Sequence, residues 1–186
     1  MIRCVKSVML ASCFTLLLGA CQSAPDPLLI APVTIDDSLS AKVANIKVQD
    51  QRTHAYLYRV KRNQDKAQFA SPQQPLTDII AESLQNLVSE TESGMGLKWY
   101  VSLEQGLVEA TLSGLKYQLE HTIVIRVQAQ QANRSYSNSY RGRMQSTGVG
   151  QPDEAVIERE FTQLLRSVLS DISNDPKLRI NRQENN

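Results

Sequence analysis

Two stretches of the chain carry apolar residues at helical spacing, and the rest alternates with a period of two. Leu76, Ile79, Ile80, Leu84, Leu87 and Val88 fall on one helical stripe inside "SPQQPLTDIIAESLQNLVSETESGMG". Pro75 suits its first turn, Asp78 favours the positive end, and Gly94 and Gly96 are the expected stop. In "QPDEAVIEREFTQLLRSVLSDISND" the stripe is Ile157, Phe161, Leu164, Leu165, Val168 and Ile172. Pro152 opens that second helix, Asp153 and Glu154 sit in its first turn, and Pro176 ends it. A stripe of this kind must be buried, so each helix has to cover an apolar surface.

The alternating stretches supply that surface. Ala44, Ile46 and Val48 share one strand face, as do Tyr56, Tyr58 and Val60 in "AYLYRVKR", and "DKAQFAS" is a weaker third strand. "LKWYVSLE" reads as a short strand, and "LVEATLSGLKYQLE" follows with Val108, Ala110 and Leu112 on one face. In "HTIVIRVQAQQA", Ile123, Ile125, Val127 and Ala129 point one way and Thr122, Val124, Arg126 and Gln128 the other. "SYSNSYRGRMQSTG" pairs with it antiparallel across a turn near Asn133, with Tyr136, Tyr140 and Met144 on one parity. The order predicts an α+β fold: a two-layer sandwich of a mostly antiparallel sheet with two amphipathic helices on one face. In an alternative, the first strands form a small hairpin of their own.

The N-terminus follows a different pattern. Behind Arg3 and Lys6, residues 8–20 carry no charge and are mostly apolar. That run is roughly 20 Å of helix, where a membrane span needs about 20 apolar residues, so it suits a signal peptide. It closes on "LLLGAC", small residues against a cysteine, which resembles the lipobox of bacterial lipoproteins. The resemblance implies cleavage before Cys21, a diacylglyceryl group on its sulfur and acylation of its amine with palmitate-type chains, a membrane anchor of more than one chain. Gln22 in place of an aspartate suggests the outer membrane. The expected organisation is a signal peptide over 1–20, a lipidated cysteine and tether over 21–30, one periplasmic domain over 31–178, and a polar tail over 179–186.

Composition narrows the chemistry. The net charge is +1, and losing Arg3 and Lys6 takes it to about −1, which gives no electrostatic basis for binding nucleic acid. Cys4 and Cys13 leave with the signal and Cys21 is blocked, so thiol catalysis, a disulfide and a cysteine zinc site are excluded from the mature domain. No nucleotide-binding, zinc-protease or nucleophile-elbow motif is present, and no metal, cofactor or catalytic residue is assigned. His54 lies in a polar turn and His121 opens the best strand; both read as surface imidazoles.

Two groups remain. Asp50 and Arg52 in "QDQRT" match as carboxylate and guanidinium and read as a pair that staples a turn. Arg134, Arg141 and Arg143 cluster in sequence with few acids nearby, a candidate patch for an anionic glycan or lipid phosphate.

Taken together, the lipobox at Cys21, "VQDQRT", "LTDIIAESLQNL", "LVEATLSGLKYQLEH" and "YRGRMQSTG" resemble the YajG family of gammaproteobacterial lipoproteins. The resemblance covers most of the mature chain and implies an outer-membrane lipoprotein with an α+β periplasmic domain; Asp50, Gln51 and Arg52 match its Asp-Gln-Arg motif. It carries over no catalytic residue. The expected function is a non-catalytic module anchored through its acyl chains that binds an envelope protein or polymer. The alternatives are a lipid- or glycan-handling protein and an enzyme of unrecognised class.

Overall fold

A computed structural model of the chain describes residues 26–35, 43–62, 67–88 and 96–178. Cys21, the apolar leader, Gly94 and the tail beyond Leu178 lie outside the described residues. Six strands form one sheet that does not close: β1 (Asn45–Asp50), β2 (Tyr58–Arg62), β3 (Gln68–Ala70), β4 (Lys98–Ser113), β5 (Lys116–Gln131) and β6 (Arg134–Val149). Two helices, α1 (Leu76–Ser83) and α2 (Glu154–Asn174), complete a mixed α+β domain. The sheet path is β3-β2-β4-β5-β6, with β1 also on β4. β1 and β2 pair parallel with β4, and the remaining pairs are antiparallel. The first strands therefore join the main sheet and do not form a separate hairpin. No helix among the described residues is long and apolar enough to cross a membrane.

The turn between β4 and β5 corrects the strand boundaries expected from sequence. "LVEATLSGLKYQLE" is not one strand: it breaks at Gly114 and Leu115, with Gly114 at φ +60°. Only glycine adopts that conformation without steric cost, and the first position of a two-residue hairpin turn demands it. β5 consequently starts at Lys116, five residues before His121, and "LKWYVSLE" runs on into β4. A bulge between Leu103 and Gln105 lets this long strand change parity: Trp99, Val101 and Leu103 are buried before it, Val108 and Ala110 after it.

α1 is also shorter than its stripe. It stops at Ser83; Leu84 caps it and a single 3-10 turn covers Gln85–Leu87. Two contacts compete with further helix. Ser83 Oγ donates to the Ile79 carbonyl at 2.7 Å and accepts the Val33 amide at 2.9 Å. The Leu87 carbonyl accepts from Val43 N, drawing Val88 into a parallel bridge. Leu84 and Leu87 are still buried, so the apolar spacing is read correctly while the backbone is not α-helical.

In α2 every residue of the expected stripe is buried, with Leu169 in addition. Asp153 is its N-cap, accepting from Ala155 N at 2.9 Å. Residues 26–35 form a strap whose Leu28, Ile30, Val33 and Ile35 are buried, two of them within the stretch expected as tether. The strap is fixed at both sides: Leu28 N donates to the Ser71 carbonyl and Leu29 N to Glu158 of α2. A side chain at Gly142 of β6 would stand 2.6 Å from Val168 and 2.8 Å from Leu164, so glycine there is what lets α2 seat so closely.

Candidate functional site

β1 lies against residues 98–103 of β4, and β2 lies against 108–112 of the same edge. The connection between them, residues 51–57, passes a shorter stretch of β4 that contains the bulge, so it arches away and leaves a gap in the sheet. Its ends are tied: Gln51 N donates to the Leu103 carbonyl at 2.9 Å and Val108 N to the Leu57 carbonyl at 2.7 Å. The gap holds a cleft of about 210 Å³. Arg52, His54 and Tyr56 form one wall, and Glu104, Gly106 and Leu107 the other.

Arg52 is the fixed point of this loop. The Asp50 carboxylate accepts from Arg52 Nε at 3.0 Å, from Nη2 at 2.8 Å and from its backbone N at 3.0 Å. The guanidinium side chain is only 6% exposed, against 38% for its partner. Its stem crosses Gly106, where an added Cβ would stand 3.1 Å from Leu76 and 3.6 Å from Arg52 Cδ. Nη1 approaches the Gly106 carbonyl at 3.5 Å, too far for a strong bond. The Arg52 hydrogen bonds hold the Asp50 carboxyl below its ordinary range, outweighing the effect of burial.

Opposite, Glu104 at the bulge accepts from Arg126 Nε at 2.7 Å. His54 stacks on Tyr56 with centroids 5.0 Å apart, and Tyr56 packs on Phe69 at 4.6 Å. Both charges in the cleft are therefore held by ion pairs, beside a row of three rings. An arginine cannot exchange protons near neutrality. The arrangement can orient hydrogen-bond donors and acceptors beside the stacked His54 and Tyr56 rings, as a binding cleft does.

The other expected residues lie elsewhere. Arg141 and Arg143 are exposed, two positions apart on β6, and neither is paired with a carboxylate among the described residues. Arg134 opens the same strand, about 24 Å from Arg141 along the chain and on the opposite parity.

His121 is not a surface imidazole. It is 0% exposed, on the core side of β5, because the strand begins earlier than expected and places its odd positions inward. Its Nε2 lies 3.0 Å from Glu160 of α2, and Ser146 Oγ donates to the same carboxylate oxygen at 2.7 Å. The serine is directed at the acid and not at the imidazole, so no nucleophile–base pair forms. His121 Nδ1 has no hydrogen-bond partner. Burial lowers the His121 pKa, opposed by the nearby Glu160. Among the described residues, no group of three or more His, Cys, Asp or Glu could hold a metal ion.

Sequence reasoning missed Tyr56, Phe69 and Glu104 as parts of a site. The readable trace was the parity break between Leu103 and Val108, with Gly106 inside it. The pairing of two separate strands with one edge is long-range and leaves no local signature.

An open α+β sheet with a cleft in a gap along β4 is the class that fold and site define. A family model described as an uncharacterised lipoprotein matches residues 30–180, and the chain belongs to that family. The family places the protein among those held at a membrane through lipid. No curated protein matches the chain significantly. Among solved structures, an uncharacterised protein aligns at 9% identity and TM-score 0.42, covering 81% of this chain and 99% of its own. A candidate neuraminyllactose-binding hemagglutinin homolog from Helicobacter pylori aligns at 9% identity and TM-score 0.32, covering 78% and 94%.

Proposed function

We propose that this lipoprotein is a non-catalytic binding module, anchored at Cys21 in the outer membrane, whose domain over 31–178 faces the periplasm and engages an envelope protein or polymer at the β4 cleft. The observation that carries the reading is the locking of Arg52 by Asp50: a nearly buried guanidinium held in one orientation is suited to presenting a fixed binding surface, not to moving protons. The same geometry supports the two-layer arrangement with both helices on one face. Gly106, Ile123 and Gly142 form one cross-strand row, with Leu76 of α1 over Gly106 and Leu164 and Val168 of α2 over Gly142.

The test is photocrosslinking in intact cells. A photoreactive residue at Thr53, on the cleft wall, is expected to give defined adducts, while one at exposed Gln118 on β5 gives none. Equal adducts at both positions, or none at Thr53, would remove the cleft reading. The second reading, a lipid- or glycan-handling protein, draws on Arg141 and Arg143, which share one face of β6 and have no carboxylate partner among the described residues. Adducts confined to a residue placed at Gln145, beside them, would favour it.

A further inference from the structure

β6 is an edge strand of 16 residues, about 54 Å long. Among the described residues it pairs with β5 alone. That pairing runs from Lys116↔Val149 to Gln131↔Arg134 without a register shift, and β6 contains no proline. Proteins usually blunt such an edge by shortening it, bulging it or placing prolines or charged side chains on it, since its unpaired amides and carbonyls recruit other strands. Among the described residues β6 has only the charges, including Arg141 and Arg143, which repel a strand of like sign and leave the edge open to an acidic one. We propose that the outer edge of β6 docks an extended segment of a partner protein in which apolar residues alternate with acidic ones.

The two faces of β6 specify that alternation. Arg141 and Arg143 project from one face, and the strand's sequence contains three arginines and no acid. Tyr136, Tyr140 and Met144 lie on the other parity, half-buried and packed against the core. A strand added to the edge continues both faces, so its successive side chains meet arginine on one side and the margin of the core on the other. The edge is also pre-ordered. The Tyr140 hydroxyl donates to Asp175, just past α2, and Asn138 Nδ2 donates to the same oxygen at 3.2 Å. A surface already fixed in its bound form has less freedom to lose on association.

A second copy of this chain is a poorer occupant. Antiparallel pairing of two β6 strands centred on Gly142 sets Arg141 directly opposite Arg143, and like charges in that position destabilise. In any other register the second copy brings arginines and no acid.

The test uses the full chain in detergent micelles and fluorescent ten-residue peptides. One alternates valine with glutamate, a second valine with lysine, and a third repeats the first with alternate amides N-methylated on its pairing edge. The glutamate peptide is expected to bind about ten-fold more tightly than the lysine peptide at low salt, as two cross-strand charge pairs allow. Methylation should abolish binding, and R141Q with R143Q should bring the glutamate and lysine peptides within about two-fold of each other. Undiminished binding of the methylated peptide would show charge attraction without strand addition and overturn the proposal. So would failure of the glutamate peptide to bind, or a dimer of the chain that the peptide displaces. Arginine-dependent binding to phosphatidylglycerol vesicles with no binding of the peptide would assign the arginines to lipid instead.

Discussion

The molecule holds ionisable groups in two regions in opposite ways. At the β4 gap, Asp50 and Arg52 sit two residues apart on one loop, and the carboxylate stays partly in water. Under α2, His121, Ser146 and Glu160 come from three different elements and meet in the packed interior. The first pair is local, and Arg52 holds its carboxyl below the ordinary range. The second depends on tertiary packing and contains a histidine whose pKa burial lowers. A surface for recognition needs the first kind of order; the second kind reports on whether α2 is seated.

The largest expected effect separates the regions by packing alone. Phe161 of α2 is 1% exposed, whereas Phe69, at the end of the ring row beside the cleft, is 45% exposed. Phe161→Ala is expected to cost about 3–5 kcal/mol through lost burial and the cavity left behind. Phe69→Ala should cost roughly 0.5 kcal/mol or less, as surface changes do. Urea unfolding of the full chain in detergent measures both. Similar losses would mean that the cleft margin is as much part of the core as α2.

Next in size is the Asp50–Arg52 pair. Asp50→Ala leaves a nearly buried guanidinium without its carboxylate, and a charged hydrogen-bonded partner is typically worth about 1.5–3 kcal/mol. The loss should appear in unfolding and in faster amide exchange at Gln51 and Arg52, while exchange in α2 is unchanged. Faster exchange in α2 would show that the two regions are coupled.

How much of each region was legible follows from the range of the interactions involved. The α2 stripe and the inward parity of Ile123, Ile125, Val127 and Ala129 were readable, because helix and strand periods are local. The Asp50–Arg52 pairing was readable too, as two complementary groups in one short turn. The burial of His121 was not, because it depends on the strand starting at Lys116, and the Ser-Gly turn signal at 113–114 is weak inside a run that alternates on both sides. The cleft was least legible. It exists because β1 and β2 stop and start at different heights on β4, and the position of one strand against another is set by packing far along the chain.

The smallest expected effect is confined to acid and separates the regions by titration. His121 has its pKa lowered in the folded protein by burial, against an ordinary value of 6.5. The unfolded chain then takes up a proton there more readily than the folded one, so stability is present above about 6.5 and is lost as pH falls through the lower folded value. Glu160 of α2 is the charged group beside this histidine, and the neutral Ser146 of β6 donates to the same carboxylate oxygen. Asp50 is depressed in the same sense by Arg52, but from 3.8, so its contribution is lost only below that pH. Unfolding free energy measured from pH 7.5 to 3 should therefore fall in two stages. His121→Leu, which keeps an uncharged side chain in the same place, should flatten the first stage and leave the second. Asp50→Asn should weaken the second and leave the first. A first stage that survives His121→Leu would mean that another group titrates under α2, and the imidazole would no longer distinguish the buried region from the cleft.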